Sequence, residues 1–188
     1  MTMTDTSVDV TPMNWRVDST AAGVNDAMHA QVAELLGREP RGLLGVPVLR
    51  RDGSPVVIRV ASLVDDEPFP TLFWLVDAAL NYRLDGLEAM GAIAQLQAEV
   101  DESAELQAAM RDDHARYIAL RNRFMCTATR DVLERKGYFE ALASRGVGGL
   151  HNLTRIRCLH TWYAAHLVVP NAVGRLAEQH FPAILEGC

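Results

Sequence analysis

The chain has 188 residues, 49% hydrophobic and 22% charged, enough apolar material for one globular core. Its formal net charge of −6 argues against broad nucleic-acid binding, which a basic surface drives by neutralising phosphates. No apolar run reaches the ~18 residues of a membrane span, and three cysteines without a CxxC pair (Cys126, Cys158 and Cys188) argue against a disulfide framework and for reduced thiols in the cytoplasm.

Residues 1–23 lack the basic start and apolar segment of a secretory signal, so they read as a flexible leader before a single domain over 24–188. "NDAMHAQVAELLG" places Met28, Val32, Leu35 and Leu36 at helical spacing and closes on Gly37. Two Val/Leu/Ile-rich arms then flank Asp52-Gly53, the chemistry of a β-hairpin. Pro47 and Pro55 cannot donate to a ladder and favour edge positions or strand starts. "DDEPFPTLFWLV" reads as an acidic turn and a third short strand.

From Asp77, an expected N-cap, the pattern turns helical, breaks at Gly91 and resumes. Ser103 opens the longest expected helix, with Leu106, Met110, Tyr117, Leu120 and Phe124 on its apolar stripe and Asp112-Asp113-His114 on a solvated face. Two shorter helical pieces end at Gly137 and Gly146. A further helix is expected from about Asn152 to Val168, stopped by Pro170, and a last one from Ala172 to Gln179. Strands early and helices late give an α+β fold: a small antiparallel sheet from a hairpin plus one strand, packed against a predominantly helical C-terminal two-thirds.

The charge is uneven. From Ala141 to Ala177 there is no Asp or Glu, while Arg145, Arg155, Arg157 and Arg175 give +4 and leave −10 for the rest. Gly146, Gly148 and Gly149 precede the expected helix, whose free N–H groups would attract an anion. The turn is not a P-loop, because it lacks the GK[ST] ending. Cys158, His160 and His166 are metal-ligand types, but on a continuous helix at about 100° per residue Cys158 and His160 point roughly 200° apart. That geometry argues against one metal ion unless the helix is broken, and no cofactor is expected. His160 and His166 could also be packed core residues, or serve as bases with a carboxylate from Asp65, Asp66, Glu67 or Glu88. Phe69, Phe73 and Trp74 fit core packing better than a pocket.

The segments "LLGREPRG", "EPFPTLFWLV", "LDGLEAMG", "GVGG" and "RIRCLHTWYAAHLV", in this order, resemble the bacterial family catalogued as domain of unknown function 501. The resemblance implies a bacterial setting and a domain boundary but no reaction. Its motif positions here are Arg38, Pro40, Arg41, Gly42, Pro70, Thr71, Glu88, Gly148, Gly149, Arg157, Cys158, His160, His166, Asn171 and Gly174. Two departures from the family are the missing cysteine in "VPVLRRDG" and Asn171-Ala172 in place of Asn-Pro. The leading expectation is a noncatalytic binding or adaptor protein. It would hold a phosphate-bearing ligand in a basic pocket of Arg38, Arg41, Gly148, Gly149, Arg157, His160 and His166, with room for a protein partner. The alternatives are a phosphate-ester hydrolase or transferase with a His–carboxylate pair, and a metal-binding protein.

Overall fold

A computed structural model describes residues 15–184, apart from the Ala183 side chain, so Cys188 and residues 1–14 lie outside the described residues. The chain folds as α+β, a four-stranded antiparallel sheet with every described helix but the first following it in the chain.

The sheet runs β1 (Trp15–Val17), β2 (Leu43–Arg50), β3 (Pro55–Val60) and β6 (Phe73–Leu75), in that spatial order. A small separate ladder joins β4 (Leu63–Val64) to β5 (Glu67–Pro68). β2 and β3 form the expected hairpin, with Gly53 at positive φ and Asp52 accepting from the Ser54 N–H. β1 lies inside the segment expected to be leader. Trp15 is buried beneath the Arg50 guanidinium, which gives this strand its anchor. β1 also makes β2 an interior strand, so Pro47 is not at an edge; its missing donor falls where the β2–β3 register shifts between Gly45 and Val48.

All six residues of β3 are buried, because the sheet is covered on both faces. On one face Ile58, Val60 and Val76 pack with Val32 of α1 (Asp26–Leu36). On the other, Val57, Phe73 and Leu75 join the main core with the later helices. Asn25 caps α1 through the Met28 N–H, and Gly37 ends it in the left-handed conformation. Asp77 caps α2 (Ala78–Ala89) and also pairs with Arg50; Ser103 caps α4 (Ala104–Phe124), which follows α3 (Ala92–Glu102).

The expectation for Asp112-Asp113-His114 fails at two of its three residues, because Asp113 and His114 are buried. Asp113 accepts from the Ala172 N–H at the start of α8 (Ala172–His180), and His114 Nδ1 accepts from the Val147 N–H. α5 (Thr127–Arg135) and α6 (Phe139–Ala143) lead to a short 3-10 turn, Val147–Gly149. α7 (Leu159–Val168) is buried at Leu159 and at every residue from Trp162 to Val168, as a helix apolar on all sides must be.

The helix expected from Asn152 begins only at Leu159. Side chains from other helices take the backbone groups that a longer helix would have used. Gln97 accepts from the Ile156 N–H and donates to the Thr154 carbonyl, and Glu88 accepts from the Leu159 N–H. Leu150 to Cys158 therefore run as irregular chain.

Candidate functional site

The seven residues expected to form one basic pocket do not share a cavity. Arg38 and Arg41 line a depression with Phe69, Trp74 and Asp65. There Arg38 lies over the Trp74 ring, 5.4 Å from its centroid, and exposed Arg41 pairs with Asp65 at 2.6 Å. Phe73 is core, while Phe69 and Trp74 are half-buried and border this depression. His166 is buried away from it: Nδ1 accepts from the Asn171 N–H, Nε2 lies 3.3 Å from Glu178, and the ring stacks on Tyr163. Burial alone would raise the Glu178 carboxyl, but its bonds to His166 and Tyr163 outweigh this and lower it.

Arg157, Gly148 and Gly149 do come together, in a depression that also takes Arg145, Pro70 and Leu142. Both glycines have positive φ. A Cβ on Gly148 would press on Thr161, and one on Gly149 would meet Pro70, so backbone conformation and packing both require glycine. The glycines do not feed the N-terminus of α7 directly, because the irregular segment intervenes and the Leu159 N–H is occupied by Glu88. Arg155 is exposed and does not line this depression.

Two residues of that lining, Pro70 and Leu142, are held by a residue not singled out from the sequence. Arg121 of α4 is fully buried, and its guanidinium donates to the carbonyls of Pro70 (2.9 Å) and Leu142 (2.5 Å), both of which line the depression. Among the described residues no carboxylate pairs with it, and its Nε–H has no partner. Burial pulls its pKa down, with Tyr117 opposing. The signal was present in the sequence: Arg121 follows Met110, His114 and Tyr117 at helical spacing, a charge placed on the buried stripe.

His160 lies elsewhere. Cys158 is the extended N-cap of α7 rather than part of a continuous helix, so its Sγ approaches His160 Nδ1 to 3.6 Å instead of pointing away. Glu88, from the last turn of α2, reaches the same nitrogen at 3.2 Å. The other ring nitrogen, Nε2, lies 3.3 Å from Asp85 and 3.4 Å from the Asn81 carbonyl. The hydrogen bond to Cys158 raises the imidazole to about 9; burial opposes this, and the charges of Cys158 and Glu88 add to it. The acidic turn expected to supply a partner does not, because Asp65 pairs with Arg41 and Asp66 with Lys136.

Among the described residues no helix is long and apolar enough to cross a membrane. Comparison with known families finds one described as "Protein of unknown function (DUF501)", matched over residues 46–179. No curated protein and no solved structure matches the chain. The match spans most of the chain, which therefore belongs to the DUF501 family.

Proposed function

We propose that this DUF501 protein is a noncatalytic binding protein for a small phosphate-bearing or other anionic ligand, held where Arg145 and Arg157 flank Gly148 and Gly149. One observation carries the reading: the buried Arg121 guanidinium, without a carboxylate partner among the described residues, is bonded to the carbonyls of two residues that line that depression, Pro70 and Leu142. A buried charge without a counterion costs several kcal/mol unless something compensates it, and an anion bound nearby would do so. Support also comes from the depression itself, whose lining contains no Asp or Glu. The reading keeps a bacterial, cytoplasmic setting, with Cys126 and Cys158 as free thiols.

Isothermal titration with inorganic phosphate, pyrophosphate and nucleotides tests it. Binding should be lost in Arg157→Ala and kept in Arg175→Ala, an exposed arginine of α8 outside the depression. Equal affinity in both variants would contradict the placement.

A second reading, a phosphate-ester hydrolase or transferase, is favoured by the carboxylates on both sides of the His160 ring. It predicts turnover of an aryl phosphate that Glu88→Gln abolishes. Turnover unchanged by that substitution would remove His160 and Glu88 from the chemistry.

A further inference from the structure

We infer that Glu88, Cys158 and His160 form a binding site for a divalent transition-metal ion of the zinc class, with Asp85 holding the histidine in place. Their ligand atoms all lie within 4.8 Å of one another. An ion about 2.3 Å from a thiolate and about 2.0–2.1 Å from an imidazole nitrogen and a carboxylate oxygen, in tetrahedral arrangement, sets the S···N edge near 3.5 Å and the N···O edge near 3.3 Å. The structure has 3.6 Å from Cys158 Sγ to His160 Nδ1 and 3.2 Å from that nitrogen to Glu88 Oε1. Two edges of a coordination polyhedron therefore stand near their metal-bound lengths, and the third, from Cys158 Sγ to Glu88, is within 4.8 Å.

The surroundings supply an independent argument. A metal-ligating histidine almost always donates its other ring N–H to a carboxylate or carbonyl, which fixes the tautomer and the ring plane. Nε2 of His160 has both, Asp85 Oδ1 and the Asn81 carbonyl, so Nδ1 is the nitrogen left for a metal. Glu88 is likewise held, by the Leu159 N–H at 2.6 Å. The two elements that carry the ligands, the end of α2 and the start of α7, are pinned together by that same bond. Soft sulfur with imidazole and one carboxylate suits zinc, cobalt or iron(II) better than magnesium or calcium, which prefer oxygen alone. Three protein ligands leave a fourth position for water or a further ligand.

This site is separate from the arginine-lined depression, so failure of phosphate binding would leave it standing. The test is titration of the full chain, stripped by chelation, with Co²⁺ and then Zn²⁺. One equivalent of Co²⁺ should produce a thiolate-to-cobalt charge-transfer band that Zn²⁺ displaces, and Cys158→Ser should abolish the band while circular dichroism shows the fold intact. Asp85→Ala removes an exposed side chain and should keep the band with affinity lowered about 10–100-fold. No thiolate–cobalt absorption in the folded protein would overturn the inference, as would a band that survives Cys158→Ser. Alkylation of Cys158 at the same rate with and without Zn²⁺ would also overturn it, leaving a metal-free thiol–imidazole pair.

Discussion

His114 ties the stability of this fold to pH. The ring is fully buried, its Nδ1 accepts from the Val147 N–H, and its Nε2–H has no partner among the described residues. Burial lowers its pKa from 6.5 to about 4. Above pH 6.5 the ring is neutral in both the folded and the unfolded chain. As the pH falls below 6.5 the unfolded chain takes up a proton that the folded chain refuses until about 4, so stability declines through that window and levels off beneath it. At about 1.4 kcal/mol per unit the whole window is worth roughly 3 kcal/mol, of which about 2 kcal/mol falls between pH 7 and pH 5. Urea denaturation of the wild type and of His114→Gln at both pH values isolates this contribution, because the other titrating groups are common to both proteins. Glutamine keeps an acceptor for the Val147 N–H but cannot titrate. The wild type should lose about 2 kcal/mol more than the variant between pH 7 and pH 5. Equal losses would refute a neutral, buried His114.

Two further substitutions test the packing around the same elements, both read by chemical denaturation. Gly146→Ala places a methyl group on the His114 ring and should destabilise by about 1–3 kcal/mol; a change within a few tenths of a kcal/mol would mean the ring is elsewhere. Asn171→Ala removes the cap bond to the Gly174 N–H and the bond to the Trp162 carbonyl, and should cost about 1–2 kcal/mol. An unchanged midpoint would contradict the capping role.

Features set by local chemistry were legible in the sequence. Asp52-Gly53 announced the hairpin, Asp77 and Ser103 their helices, and Gly37 the end of the first helix. Features set by distant side chains were not. The α7 boundary depends on Gln97 and Glu88, which take up backbone groups of residues 154–159 that no local pattern reveals. That one boundary reversed the geometry of Cys158 and His160, turning two divergent side chains into neighbours. β1 has only three residues, and Trp15 gains its burial from the sheet it joins, so a polar leader was the reading its own composition supported. At the candidate site, Arg157, Gly148 and Gly149 were legible as a group from the acid-free stretch. Arg38 and Arg41 were drawn in by their charge and by the family resemblance, although their depression includes the Asp65 carboxylate. Arg121 showed in the helical period of α4 but was hidden by the habit of reading an arginine as solvated.

The central claim is that the Arg121 charge, bonded to the Pro70 and Leu142 carbonyls at the edge of the arginine- and glycine-lined depression, serves a bound anion. Titration calorimetry of pyrophosphate into wild type and Arg121→Met, with folding verified by circular dichroism, tests it most directly. The account predicts saturable binding in the wild type and at least tenfold weaker binding in the folded variant. Binding of equal strength in both, or none to the folded wild type by pyrophosphate, phosphate or nucleotides, would contradict it.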